Sequence, residues 1–130
     1  MMIYGIGTDI VDIKRIEKSL KSHGNKFLKK IFLKNEIFYC EKKKNPAAFY
    51  AKRFAAKEAF SKALGTGIRK GISFKNIEVK NDISGKPFIK LNGEAEIFLK
   101  KKIKNKKYSV HLSLSDESFL AQAFVLIFIY

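Results

Sequence analysis

This sequence is poor in cysteine and in acidic residues, and it has no apolar run long enough to cross a bilayer. Its single cysteine, Cys40, rules out an intrachain disulfide and favours a reducing compartment such as the cytoplasm. No nearby histidine could activate this thiol, so we expect it to be buried rather than catalytic. The apolar segment 119–130 is shorter than the about 20 residues that a membrane span needs, so no membrane partner is expected. Asp9 and Asp12 interrupt any signal-peptide core, and no signal peptide is expected.

The charge is strongly positive, with 27 Lys and Arg against 12 Asp and Glu and a formal net charge of +15. Such a surface attracts nucleic acids, nucleotides or acidic proteins. A basic RNA- or DNA-binding module is therefore one alternative, and it predicts aromatics and cations interleaved on an open sheet face. The sequence lacks an RNP-like run, a Gly-x-x-Gly clamp and zinc-ligand spacing. The runs 42–44 and 100–102 are expected to be ordinary solvated lysines.

The pattern of apolar residues predicts an α+β fold, in which a mainly antiparallel sheet packs around a long central helix. We expect one domain over residues 1–130, without a repeat or a long linker. Asp12 is a candidate N-cap, Pro46 fits the first turn of the central helix, and Gly65 should end that helix. The predicted helices span 13–20, 26–33, 35–41, 46–64 and 93–104. The predicted strands span 2–10, 74–80, 87–91, 108–115 and 119–130.

The central helix combines a carboxylate with several cations. Glu58 and Lys62 are four residues apart and share a face, and Arg53 and Lys57 form a second such pair. Asp9 follows two glycines in a predicted strand, where another backbone or a ligand can approach closely. Carboxylates suit Mg²⁺ and cations suit phosphate oxygens, so this set indicates phosphoryl-group chemistry. Each residue also has an ordinary alternative: a cap for Asp9, and a solvated ion pair for Glu58 with Lys62.

Five motifs occur together, in one order, along essentially the whole chain. They are Gly5–Val11, Phe54–Ala59, Gly65–Ile68, Gly85–Pro87 and Val110–Ser115. In these motifs the sequence resembles the holo-[acyl-carrier-protein] synthases, the small type of 4′-phosphopantetheinyl transferase. The resemblance implies transfer of phosphopantetheine from coenzyme A to a serine of apo acyl carrier protein, with adenosine 3′,5′-bisphosphate as the other product. It also implies a role in fatty acid biosynthesis and a homotrimer with active sites between subunits. A non-catalytic protein that has kept this fold is less consistent with intact Asp9 and Glu58.

The resemblance also implies which residues form the site. Asp9 and Glu58 are the expected Mg²⁺ ligands and, with Lys62, the expected catalytic residues. The expected coenzyme A contacts are Arg53, Lys57, Lys62, Gly65, Thr66, Gly67, His111 and Ser113. Some family members carry a second histidine after the strand of His111, where this sequence has Asp116 and Glu117. That histidine role is therefore not carried over, and the general base is left open between a metal-bound water and a side chain such as Asp116.

Two predicted helices near the N-terminus carry cations on their polar sides. By resemblance they form the docking surface for the acidic carrier protein, with Arg15 and Phe27 as the favoured contacts. The alternative is a pair of amphipathic helices with solvated lysines. The predicted docking residues are Lys14, Arg15, Lys26, Phe27 and Lys30.

Overall fold

The structure is a computed structural model that describes all 130 residues. Three antiparallel strands form the larger sheet in the order β1-β5-β4, and β2 and β3 form a separate antiparallel hairpin. The predicted α+β fold is confirmed, although the strands divide between two sheets and residues 74–76 form a 3₁₀ turn instead of beginning a strand. The helices are α1 (Ile13–His23), α2 (Asn25–Ile31), α3 (Lys34–Glu41), α4 (Pro46–Leu64) and α5 (Gly93–Lys102). The strands are β1 (Met2–Asp12), β2 (Ile77–Asn81), β3 (Pro87–Leu91), β4 (Tyr108–Glu117) and β5 (Leu120–Ile129).

The long helix α4 packs on β1 and β5 at close range. Small side chains allow this approach, since Ala55, Ala59 and Ala63 are buried against the sheet. A Cβ on Gly5 or Gly7 would overlap the carbonyl oxygen of Ala63 or Ala59, respectively. The two glycines of β1 therefore serve the contact between the strand and the helix, and this contact brings the end of β1 beside α4.

Local signals set the start of α1 and the end of α4 as predicted. Other bounds differ from the prediction, since α1 extends to His23 and not to residue 20, and α2 and α5 end at Ile31 and Lys102 and not at residues 33 and 104. The Asp12 carboxylate accepts a hydrogen bond from the amide of Lys14 at 2.9 Å and caps α1. Gly65 ends α4 with a φ of 92°, a conformation that favours glycine. The amides of Gly65, Thr66 and Gly67 all donate to the Ser61 carbonyl. The loop after α4 is thereby tied to the last turn of the helix.

The larger sheet has one covered face and one open face. Alternate residues of β5, such as Val125 and Ile127, are fully buried against α4. On the other face, Ile6 and Ile10 are each 60% exposed and Phe124 is 45% exposed. The sheet therefore presents an apolar surface that this chain alone does not cover.

None of the five helices has both the length and the apolar character of a membrane span.

Candidate active site

Asp9 and Lys62 meet where the end of β1 passes α4. The Lys62 ammonium donates to Asp9 Oδ1 at 3.1 Å and to the Thr8 carbonyl at 3.0 Å. The Asp9 side chain is only 17% exposed, whereas that of Lys62 is 52% exposed. An ammonium has three N–H donors, so Lys62 keeps one for a ligand.

Glu58 lies one helical turn before Lys62, and the charges of Asp9 and Lys62 both act on its carboxyl group. Burial raises the pKa of the Glu58 carboxyl and the nearby charge of Asp9 raises it further, while the Lys62 ammonium lowers it. The negative charge of Asp9 beside the Glu58 carboxyl makes a site that a cation stabilises. The structure thus brings together the three residues that the sequence predicted as catalytic.

The donor set at this site fits a magnesium ion. No group of three or more His, Cys, Asp or Glu side chains converges anywhere in the chain, so a metal would have at most two carboxylate ligands. Mg²⁺ commonly binds through one or two carboxylates and completes its shell with phosphate oxygens and water. Asp9 and Glu58 fit that mode of binding, in which the substrate itself supplies ligands.

The loop after α4 places a buried threonine and an exposed cation near the end of the helix. Thr66 is 3% exposed, and its hydroxyl donates to the Gly67 carbonyl at 2.7 Å. Arg69 Nε donates to the Thr66 carbonyl at 2.7 Å. Arg69 was not among the predicted site residues, although its place after Gly65 and Gly67 in the sequence could have suggested a cation held beside this loop.

Lys57 does not lie on the surface that the sequence predicted for it. Its side chain is fully buried, and its ammonium donates to Glu36 Oε1 at 2.7 Å, to the Ile31 carbonyl at 2.9 Å and to the Phe74 carbonyl at 3.0 Å. All three N–H donors are therefore used inside the core, and none is left for a phosphate. The predicted contact between Lys57 and coenzyme A is wrong for this geometry. The pattern of cations four residues apart could not distinguish Lys57 from Lys62, because burial depends on which elements surround the helix.

Arg53 is also buried, but not all of its donors are used. The residue is 2% exposed, its guanidinium lies 4.1 Å from the centre of the Tyr39 ring, and Nη2 donates to Asn81 Oδ1 at 2.6 Å. Its Nε is buried and has no hydrogen-bond partner. A phosphate contact by Arg53 stays a prediction, and it would require a movement at Asn81 or Tyr39.

His111 and Ser113 lie on the opposite face of the sheet from Asp9. Ser113 pairs with Phe124 of β5 on the open face, whereas Asp9 pairs with Ala123 on the face that α4 covers. His111 is exposed, and its Nε2 lies 2.9 Å from the Ser109 hydroxyl oxygen. Within one chain these two residues therefore do not join the site formed by Asp9, Glu58 and Lys62.

Asp116, at the position where some family members have histidine, forms an ion pair. Its Oδ1 lies 3.2 Å from the Lys52 ammonium, and the Lys52 side chain is 17% exposed. The pair joins the end of β4 to α4. Lys52 already engages one oxygen of this carboxylate, so the geometry does not favour Asp116 as the general base.

The predicted docking residues lie on the surface formed by α1 and α2. Lys14 and Arg15 are exposed, and the Lys14 ammonium lies 4.9 Å from the centre of the Phe119 ring. Phe27 is half-buried and packs edge-to-face on Phe32. A shallow cavity of about 310 Å³ is lined by His23, Lys26, Phe27 and Lys30. The structure thus places an aromatic side chain among lysines, as an acidic helical partner would require.

Comparison with known families assigns the chain to a class. The family model of the 4′-phosphopantetheinyl transferase superfamily matches residues 5–124. The protein therefore belongs to the 4′-phosphopantetheinyl transferase superfamily. Both carboxylates, Asp9 and Glu58, and the glycine-bounded loop lie within the matched range.

Similar proteins define its place within that superfamily. The holo-[acyl-carrier-protein] synthase of Rhizobium meliloti (strain 1021) is 48% identical over 127 residues, which cover 97% of this chain and 91% of that relative. That of Brucella ovis is 47% identical, with coverage of 97% and 95%. The chain is thus a member of the holo-[acyl-carrier-protein] synthase family, and the resemblance seen in its motifs is confirmed.

Solved structures support the same assignment. The Neisseria meningitidis holo-[acyl-carrier-protein] synthase aligns with a TM-score of 0.84 at 44% identity, over 97% of this chain and 98% of that one. The Bacillus anthracis enzyme in complex with CoA (3′,5′-ADP) aligns with a TM-score of 0.80 at 41% identity, over 100% of both chains. These comparisons do not support the alternative of a nucleic-acid-binding module. The strands of the larger sheet also contain no lysine or arginine, so its open face lacks the cations that a nucleic-acid-binding sheet would need.

Proposed function

We propose that this protein is a holo-[acyl-carrier-protein] synthase that transfers 4′-phosphopantetheine from coenzyme A to a serine of apo acyl carrier protein. The observation that carries the proposal is the convergence of Asp9, Glu58 and Lys62 between β1 and α4, in a chain that matches the family over nearly its full length. The Helicobacter pylori synthase, solved in complex with coenzyme A, aligns at 38% identity with a TM-score of 0.79 and covers 94% of this chain. We further propose that residues 1–130 form one catalytic domain.

In the proposed reaction the serine hydroxyl oxygen attacks the β-phosphorus of coenzyme A. The bond from that phosphorus to the adenosine 3′,5′-bisphosphate oxygen breaks, and the serine proton passes to a base. Asp9 and Glu58 would hold Mg²⁺, which supplies charge neutralisation on the pyrophosphate when bound. The Lys62 ammonium, with its free N–H, neutralises phosphate charge on the solvent side of the site. The loop Gly65–Gly67 is proposed to lie along the adenosine part of the substrate, and Arg53 to contact a phosphate.

We propose that the enzyme acts as a homotrimer. The open sheet face is apolar and uncovered in a single chain, and a subunit contact would bury it. His111 and Ser113 lie on that face and could reach coenzyme A only at the site of a neighbouring subunit. The expected solution mass is three times 14.9 kDa, and Phe124→Glu should dissociate the trimer and lower transfer. A monomeric wild type with full activity would contradict this part of the proposal.

The acidic carrier protein is proposed to dock on α1 and α2, where Lys14, Arg15, Lys26 and Lys30 surround Phe27. Opposite charges on the two proteins would accelerate their encounter. Holo carrier protein serves fatty acid synthesis, so we place the reaction there and in the cytoplasm.

Intact-mass analysis of apo carrier protein after incubation with coenzyme A and Mg²⁺ tests the reaction directly. Asp9→Asn and Glu58→Gln each remove a charge with little change in size, and we expect each to lower the transfer rate by about 10²-fold or more. Glu94→Gln on the exposed start of α5 is the matched control and should transfer at the wild-type rate. Near-normal rates of Asp9→Asn or Glu58→Gln at limiting Mg²⁺ would overturn the metal assignment. No transfer by the wild type to any apo carrier protein would overturn the function.

A further inference from the structure

The end of α5 and the segment after it form a strongly basic patch. Six of the eight residues from 100 to 107 are lysines, and none is acidic. The acidic residues of α5, Glu94 and Glu96, lie in its first turn. Every lysine of the segment is exposed, and only Lys100 forms an ion pair, with Glu96 at 3.6 Å. The basic patch consists of Lys100, Lys101, Lys102, Lys104, Lys106 and Lys107.

The backbone holds these lysines in a fixed arrangement. Lys104 and Asn105 adopt positive φ values of 54° and 59°, and the Asn105 amide donates to the Lys100 carbonyl at 2.8 Å. The Tyr130 amide donates to the Lys107 carbonyl at 2.9 Å, which ties the segment to the end of the larger sheet. The backbone that carries the basic patch is therefore held by hydrogen bonds to α5 and to the end of the larger sheet.

Along the larger sheet, Lys107 of the patch lies far from the carboxylate of Asp9 and from α1. Asp9 pairs with Ala123 of β5. The Lys107 carbonyl accepts a hydrogen bond from the amide of Tyr130, which follows Ala123 by seven residues in the chain. At the usual rise of a strand this separation is about 23 Å. Helix α1 begins near the other end of the sheet, beside Leu120. A carrier protein on α1 would therefore not contact the basic patch of the same chain.

Exposed apolar side chains accompany the lysines. Ile97 is 58% exposed and precedes Lys100 and Lys101 by three and four residues, so it lies on the same face of α5. Met2 and Tyr130, at the end of the sheet that carries Lys107, are 61% and 49% exposed. Cations around an exposed aliphatic side chain are typical of segments that lie on a lipid surface.

We propose that the basic patch, together with Ile97, attaches the protein peripherally to bilayers that contain anionic phospholipids. Clusters of four to eight lysines are sufficient for such binding, since each cation near an anionic leaflet adds to the attraction. Single-stranded nucleic acid would instead require several exposed aromatic platforms for base stacking, and beside these lysines Tyr130 alone is an exposed aromatic. The sequence predicted no membrane partner because no segment could span a bilayer. Peripheral attachment needs no span, and it leaves the proposed transferase function unchanged.

Co-sedimentation with vesicles tests the proposal on the full chain. One set of vesicles contains phosphatidylcholine alone, and the other contains equal parts of phosphatidylcholine and phosphatidylglycerol. The wild type should bind only the anionic vesicles. The triple variant Lys101→Glu, Lys106→Glu and Lys107→Glu should bind them about 100-fold more weakly. The matched control reverses Lys42, Lys43 and Lys44 to Glu and should bind nearly as the wild type does, although both triple variants have the same net charge.

Two further arms separate lipid from other anions. Ile97→Ser should weaken vesicle binding severalfold but leave binding to polyuridylic acid unchanged, because only the bilayer offers an apolar interior. Transfer activity without vesicles should be the same in the patch variant and the wild type, which shows that the variant is folded. The proposal is overturned if the wild type fails to bind anionic vesicles, or if the control loses binding equally. It is also overturned if Ile97→Ser has no effect, or if inorganic phosphate or polyuridylic acid displaces the protein from vesicles at low concentration.

Discussion

Replacing Lys57 with methionine tests whether this lysine is a structural residue or a ligand of coenzyme A. Methionine has a similar length, so the substitution removes the charge and the three N–H donors without opening a large cavity. The substitution leaves the Glu36 carboxylate buried without its cation. Two hydrogen bonds to that carboxylate remain, from the Leu33 amide to Oε1 at 2.9 Å and from the Val79 amide to Oε2 at 3.0 Å. The carbonyls of Ile31 and Phe74 also lose a donor.

The expected cost follows from this network. Removing one partner of a buried ion pair typically costs about 3–5 kcal/mol. A chain of this length has a free energy of unfolding of about 6–20 kcal/mol, so Lys57→Met should fold at low temperature but melt about 10–20 °C lower. The double variant Lys57→Met with Glu36→Leu removes both charges but leaves two amides without acceptors, at about 1–3 kcal/mol each. It should therefore cost less than the sum of the single substitutions.

Thermal and urea unfolding of the two single variants and the double variant measure these terms. Lys34→Met, on an exposed lysine, is the control and should change the free energy of unfolding by less than about 0.5 kcal/mol. Transfer kinetics at low temperature supply the second measurement: KM for coenzyme A should stay near the wild-type value in Lys57→Met and rise in Lys62→Met. A stable Lys57→Met variant with a greatly raised KM would refute the reasoning and restore the contact that the sequence predicted. Strict additivity in the double variant would show that the two side chains do not act as a pair.

Four other predictions concern docking, the metal site, the thiol and the contact between strand and helix. Arg15→Glu should raise KM for the acidic carrier protein far more than KM for coenzyme A, with an effect that added salt reduces; equal carrier KM values at low salt would contradict the docking surface. The pKa of Glu58 is raised in the folded state, so the metal-free protein loses stability as the pH rises above the ordinary carboxyl pKa of about 4.3. In EDTA, Glu58→Gln should therefore have a higher melting temperature than the wild type at neutral pH and the same melting temperature at low pH. Burial raises the pKa of the Cys40 thiol to about 12, so iodoacetamide at pH 8 should label it only after denaturation, and rapid labelling of native protein would argue against its burial. Gly7→Ala should destabilise by about 1–3 kcal/mol or more, measured by urea unfolding, because its methyl group meets the Ala59 carbonyl; an unchanged midpoint would show that α4 can move away.

Much of the fold was readable in the sequence because its signals are local. Asp12 and Gly65 act through hydrogen bonds and dihedral angles within a few residues. In the structure Asp12 caps the start of α1 and Gly65 ends α4. Alternation in segment 108–115 and the apolar run 119–130 indicated two strands, and these strands pair as neighbours. The motifs around Asp9 and Glu58 pointed to one site because they resemble those of the holo-[acyl-carrier-protein] synthases; the spacings alone left a cap and a solvated ion pair as alternatives.

Tertiary structure decided what the spacings could not. Lys57 and Lys62 lie five residues apart on one helix, yet one ammonium is enclosed by Glu36 and two carbonyls and the other meets Asp9 at the surface. His111 shares a sheet with Asp9, but strand register places the two side chains on opposite faces. A helical or strand period fixes only which residues point the same way along one element. Which direction faces solvent, a partner or the core depends on the elements packed around it, and those contacts come from residues distant in the chain.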